Sequence, residues 1–184
     1  MDRRRRRRLE RLRWSLLIAP PLIVIALYRF GLTLSPTLSA RQTVELSQSP
    51  ETLWGVLTDL DGMPTWRRDL GALERLPGDG RVVRWLEVRH GTKVAMERVE
   101  AVAPERMVIR VAGRGTDGPR WTYEIHRTPG GARLEITEER DIRNPMWRPV
   151  AYLMGGGSGR IDTLCRDLER RLSLSRPQIV DRRS

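Results

Sequence analysis

Apolar and polar residues change rhythm several times along this chain, and each rhythm predicts an element. In "RQTVELSQS", Val44 and Leu46 alternate with Thr43, Glu45 and Ser47, the period-2 pattern of a half-buried strand. The next run, "SPETLWGVLTDL", shifts to helical spacing, with Leu53, Trp54, Leu57 and Leu60 on one face. Ser49 suits the N-cap, Pro50 the first helical position and Glu51 the positive end of the helix dipole. "DGMPTWRRDL" follows with turn chemistry and an isolated Trp66, a second short helical turn.

From Leu73 to Ile142 alternation returns, cut by turns at 78–80, 90–92, 103–105, 113–119 and 129–131. The pieces between them are "RVVRWLEVR", "KVAMERVEAV", "RMVIRVA", "RWTYEIHR" and "ARLEITEERDI", spaced for an antiparallel meander. Met107, Ile109 and Val111 fall on one face with Trp121, Tyr123 and Ile125 and with Leu134 and Ile136. Arg110, Thr122, Glu124, Arg133 and Glu135 fall on the other, so one face is covered and one is wet.

The last rhythm is helical again. Met146, Val150, Leu153, Met154, Gly157, Ile161, Leu164, Cys165, Leu168 and Leu172 form a stripe that predicts one long C-terminal helix, capped by Asn144. Inside it, "GGGSG" at 155–159 carries glycines that each disfavour helix by roughly 1 kcal/mol against alanine. Either two helices meet there or a thinned helix passes over a cavity.

Ahead of all this, "RRRRRRLERLRWSLLIAPPLIVIALYRFGLTL" joins a basic run to an apolar one. Residues 14–34 would span roughly 31 Å as a helix, enough for a bilayer core of about 30 Å with Arg29 reaching towards the far interface. A transmembrane anchor is expected, with the N-terminus cytoplasmic and the rest outside the cell membrane; a cleaved signal peptide and an interfacial helix are the alternatives. The expected organisation is a basic segment over 1–13, an anchor over 14–34, a linker over 35–39, a domain over 40–172 and a basic tail over 173–184.

Charge sharpens this division. The formal +11 comes from the ends: residues 1–13 carry eight arginines against two acids, whereas residues 40–169 carry 20 basic and 20 acidic groups. A neutral domain does not track phosphates, so nucleic acid is not an expected partner. One cysteine among 184 residues permits neither an intrachain disulfide nor a cysteine zinc cluster.

The run Ser49, Pro50, Glu51, Trp54, Leu57, Asp59, Pro64, Trp66, with the later "YEIHRTPGGARLEIT" at 123–137, resembles the START-like helix-grip superfamily (SRPBCC), in its polyketide cyclase/dehydrase and lipid-transport branch. The resemblance covers about residues 40–172. It implies an α+β helix-grip fold: a curved antiparallel sheet wrapped around a long C-terminal helix, two short helices after the first strand, and an apolar cavity between sheet and helix. Members bind lipids, sterols or polyketides, and some catalyse cyclisation or dehydration.

Candidate chemistry is sparse. His90 and His126 have no partner at metal-binding spacing, so no metal is expected, and no cofactor motif is present. "GGSGR" lacks the final glycine of a nucleophile elbow, and Cys165 lies on the apolar stripe as a core residue. The alternation that places Leu134 and Ile136 inside also places Glu138 and Arg140 there, and the register of Trp85 does the same for Glu87 and Arg89, unless a bulge flips them or they lie beyond the helix in water. Charges on an apolar face are costly unless paired, so these two pairs are the candidate polar handles or acid–base groups. Trp66, Trp85, Met96, Met107, Ile109, Trp121, Tyr123, Ile125, Leu134, Ile136, Met154, Gly157 and Ile161 are the candidate ligand-binding residues. The expected function is a membrane-anchored module that binds a lipid or other apolar small molecule, with a cyclase/dehydratase-type enzyme or a filled-core protein-interaction module as alternatives.

Overall fold

The computed structural model describes residues 19–77, 82–114, 118–153 and 158–174. The basic segment 1–13, the start of the expected anchor at Trp14, the turn at 78–80, the ligand candidates Met154 and Gly157, and residues 175–184 lie outside the described residues. The chain divides into two compact units, residues 39–140 with 157–184, and residues 1–38 with 141–156.

Helix α1 covers residues 19–33 and precedes strand β1 (Thr37–Leu46). The strand therefore begins inside the expected linker: the Ile142 N–H donates to the Pro36 carbonyl at 2.7 Å and Thr37 Oγ1 to Asp141 Oδ1 at 2.7 Å, so the backbone is paired before the apolar alternation starts. Ser49 then accepts the Thr52 N–H at 3.2 Å and starts helix α2 (Pro50–Thr58), which buries Leu53 and Leu57 while Trp54 stays half-buried at the edge of the core. A four-residue helix α3 (Met63–Trp66) completes the two short helices.

Six strands follow, β2 (Ala72–Leu76), β3 (Val83–Arg89), β4 (Thr92–Val102), β5 (Arg106–Val111), β6 (Arg120–Thr128) and β7 (Gly131–Asp141). Each pairs antiparallel with the next, and β1 closes the far edge beside β7, giving the order β1-β7-β6-β5-β4-β3-β2. Gly131 permits that closure. Its φ of +141° suits glycine, and a side-chain carbon there would stand 2.2 Å from the Leu46 carbonyl oxygen. The period-2 faces hold: Met107, Ile109, Trp121, Tyr123, Ile125, Leu134 and Ile136 are all buried, while Arg133 and Glu135 on the other face are not.

The predicted single C-terminal helix is corrected. Asn144 does cap, accepting the Met146 N–H at 3.0 Å, but it opens only a 3-10 turn at Pro145–Trp147; the described helical residues are then α4 (Arg148–Leu153) and α5 (Ser158–Leu174), with 154–157 outside the described residues. Val150 and Leu153 are exposed, so the buried stripe starts at Ile161 and runs through Leu164, Cys165, Leu168 and Leu172. Within the unit of residues 1–38 and 141–156, the Arg148 guanidinium donates to the carbonyls of Ile142 at 2.9 Å, Gly31 at 3.2 Å and Leu34 at 3.4 Å, and so receives the carbonyl end of α1.

The α5 stripe joins the inward face of the sheet in one buried cluster, so this unit is the α+β helix-grip arrangement. Two polar ties fix the helix: buried Asp167 accepts the Arg68 N–H at 2.9 Å, and Gln48 Nε2 donates to the Leu172 carbonyl at 3.1 Å. Among the described residues, no helix is long and apolar enough to cross a membrane.

Candidate functional site

Between the sheet and α5 lies a cavity of about 30 Å³, with Leu57, Met63 and Trp66 closing one side. Of the sequence candidates, Trp66, Trp85, Met96, Met107, Ile109, Trp121, Tyr123 and Ile161 line it. Ile125, Leu134 and Ile136 face the same way but are packed in the core and do not reach the cavity. The volume holds one or two waters, whereas ligand pockets run to about 300–1,000 Å³.

The polar wall is built from two loci. On β3, residues two apart point to one side, so Trp85, Glu87 and Arg89 face the cavity together; the loop after α3 adds Arg67 to the wall and, behind it, Asp69, which lines the neighbouring surface depression. The Arg67 guanidinium donates twice to Asp69, at 3.2 and 3.0 Å, and reaches Glu87 Oε1 at 3.5 Å. Arg89 bonds Glu87 Oε2 and bridges to Asp69 Oδ2 at 3.2 Å, while Trp85 Nε1 donates to Glu87 Oε1 at 3.0 Å. Positive and negative groups thus alternate around a closed ring of four, with Glu87 only 2% and Arg67 only 8% exposed.

Electrostatics in the ring are mutual. Burial raises the Asp69 pKa, but Arg67 and then Arg89 outweigh it and hold the carboxyl below its ordinary range. Burial works against the Arg67 charge, yet Glu87 and Asp69 raise its pKa above the usual guanidinium value. The adjacent Tyr123 phenol is pushed up to about 12, chiefly by burial, and stays a neutral donor. Burial also lifts the Cys165 thiol to about 11, which fits a core residue.

Glu138 and Arg140 on β7 take the inward side too, and Arg140 donates to Glu138 Oε1 at 2.9 Å. Neither lines the cavity. Glu138 is 2% exposed, and its Oε2 has no hydrogen-bond partner, nor do the buried Nε atoms of Arg140 and Arg89. The sequence reading missed Arg67, Asp69, Met63, Leu164 and Arg160. In "WRRDL" nothing distinguishes Arg67, which turns inward, from Arg68, which is exposed; Arg160 follows the glycine run at the start of α5 and lies 5.6 Å over the Trp121 ring. Among the described residues no group of three or more His, Cys, Asp and Glu is placed to hold a metal ion.

Comparison with known proteins now decides the family. The family described as polyketide cyclase / dehydrase and lipid transport matches residues 37–172. The chain belongs to this family. No curated protein sequence matches it. Among solved structures, the di-domain ARO/CYC StfQ from the steffimycin biosynthetic pathway superposes with a TM-score of 0.61 at 11% identity, over 75% of this chain and 52% of StfQ. This polyketide cyclase/dehydrase family chain thus spans about half of StfQ. A Mesorhizobium loti protein gives 0.58 at 19% identity over 76% of this chain and 99% of its own. A norcoclaurine synthase point mutant from Thalictrum, in complex with a transition state analogue, gives 0.60 at 13% over 75% and 95%. At such identities the likeness is one of fold.

Proposed function

We propose that this family member binds a small, largely apolar molecule between its sheet and α5, with the Arg67–Asp69–Glu87–Arg89 ring as the polar handle. One observation carries the reading: three charged side chains of the ring, Arg67, Glu87 and Arg89, border the cavity in a largely apolar wall, and Asp69 closes the ring from behind. A buried ion pair rarely stabilises a fold more than well-packed hydrocarbon would, so a ring like this points to a use beyond stability. The small cavity is compatible with this reading because Met63, Met96 and Met107 are among its walls, and flexible thioethers repack around a guest.

Residues 14–34 are read as the membrane anchor, holding the domain outside the cell membrane. The supporting observation is that Leu22, Ile23, Val24 and Ile25, four consecutive residues facing all sides of α1, are exposed, as are Leu27, Phe30 and Leu32. The described helix alone is roughly 22 Å long, so the span depends on residues 14–18 as well.

The test uses the full chain in non-ionic detergent. A panel of naphthalenes, short fatty acids and sterols is expected to raise the thermal midpoint with at least one member, by mass action on the folded state. No shift across the panel returns the domain to the filled-core alternative, which the 30 Å³ volume by itself would favour. The catalytic alternative rests on Tyr123, a neutral phenol within electrostatic reach of Arg67, Glu87 and Arg89; turnover of a bound polyketide-like ketone that disappears in Tyr123→Phe would support it.

A further inference from the structure

Arg160 stands apart from the other arginines at the site. It belongs to the first turn of α5, where the helix dipole is positive and a cation is disfavoured. No carboxylate pairs with it among the described residues; its guanidinium rests on Trp121 instead. Removal from water lowers its pKa, and so do Arg89 and Arg140, while Glu138 and Asp69 act in the opposite sense; Arg160 therefore feels both the four-membered ring and the β7 pair.

The local balance is uneven. In the ring, the β7 pair and the start of α5, Arg67, Arg89, Arg140 and Arg160 stand with Asp69, Glu87 and Glu138, four positive groups against three negative, while the nearby Arg68 has its own carboxylate in Asp167. The buried Nε donors of Arg89 and Arg140 are also unused. Position adds to this. Arg89 and Arg160 line the inner cavity and also a surface depression shared with Asp69, His90 and Thr92, so they stand where a guest would enter.

We infer that this entrance recognises the single negative charge of an amphipathic carboxylate, whose apolar body lies against Trp121 and the methionine wall while its oxygens accept from Arg160 and Arg89. This rests on the binding role proposed above and names the ligand class. Such a ligand supplies the missing negative charge, offers an acceptor to the idle Nε of Arg89, and offsets the cation at the positive end of α5.

The experiment is calorimetric titration of the full chain in non-ionic detergent with 2-naphthoate and its neutral isostere 2-naphthamide. Naphthoate is expected to bind about tenfold more tightly than naphthamide, the scale of a charge-assisted hydrogen bond. Arg160→Gln brings the naphthoate-to-naphthamide affinity ratio close to one; Arg160→Lys keeps part of the advantage. Glu138→Gln acts in the opposite sense, strengthening naphthoate alone. Arg127→Gln, which removes an exposed cation paired with Glu51, changes neither probe, and affinities are referred to the free concentration of each probe measured by dialysis against protein-free detergent. Equal binding of the two probes, or a naphthoate advantage that survives Arg160→Gln, overturns the carboxylate assignment and leaves the cavity reading standing. If neither probe binds, the carboxylate assignment falls, and the binding reading falls with it only when the wider panel above also gives no shift.

Discussion

The two faces of the sheet use the same chemical parts to opposite effect. On the outward face, Arg110 and Arg84 donate to Glu97 at 2.6 and 3.3 Å, and Arg106 links Glu100 to Glu124. On the inward face, Arg67, Asp69, Arg89 and Glu87 close their ring. Outside, each carboxylate is covered by arginine side chains that themselves reach water: Glu97 is nearly hidden, yet Arg84 and Arg110 are 40% and 32% exposed. Inside, both members of the Arg67–Glu87 pair are withdrawn from solvent. Ion pairs in water contribute little and are screened, whereas pairs in the interior are costly to form and more costly to break. The outer network pairs charges that keep access to water, and the inner ring is a commitment to charge in a place where hydrocarbon would serve the fold.

The comparison breaks most sharply on truncation of one partner. Arg67→Ala leaves Glu87 and Asp69 sharing Arg89 as their one remaining ring cation and is expected to cost about 3–5 kcal/mol in urea unfolding, against about 0–1 kcal/mol for Arg106→Ala. Equal losses would remove the distinction between the faces. Salt sharpens it next: at about 1 M NaCl, where the screening length falls to about 3 Å, the Arg106 effect should vanish and the Arg67 effect persist.

Acid gives a smaller effect with a definite sign. The folded Asp69 pKa lies below its unfolded value, so its contribution is fully present above about pH 4 and is lost as pH falls through the lowered folded value. Asp69→Asn should therefore flatten the acid limb of the stability curve. The Glu97 carboxyl is lowered too, first by its bond from Arg110, so Glu97→Gln should flatten the same limb, but in a salt-sensitive way. At the alkaline end the sign reverses. The Tyr123 pKa is raised, so its contribution is complete below about pH 10 and is lost towards pH 12. Difference absorbance between the wild type and Tyr123→Phe should show a phenol ionising at about 12.

The fold was largely legible in the sequence because its strands alternate cleanly and its caps are conventional. Trp121, Tyr123 and Ile125 are buried as alternation requires, and Ser49 caps α2. The C-terminal stripe misled because helical spacing is blind to exposure: Val150 and Leu153 fit the period of Ile161 and Leu164 and yet face solvent. The site was half legible. Strand period placed Glu87 and Arg89 inward, and the buried ring confirms that orientation. Their partners come from a loop, where no period exists, and Arg67 differs from Arg68 only in which way the backbone turns after Trp66. Arg160 escaped notice because the sequence lays out neither the charge surplus nor the Trp121 ring beneath it.

Replacing the entire ring tests the central claim most directly: Arg67→Met, Asp69→Leu, Glu87→Leu and Arg89→Met in one chain, measured for urea stability and for naphthoate binding. The account predicts stability equal to the wild type or up to about 4 kcal/mol higher, together with loss of binding. A variant that unfolds more easily while still binding naphthoate as tightly as the wild type would contradict it, and would make the ring a structural brace.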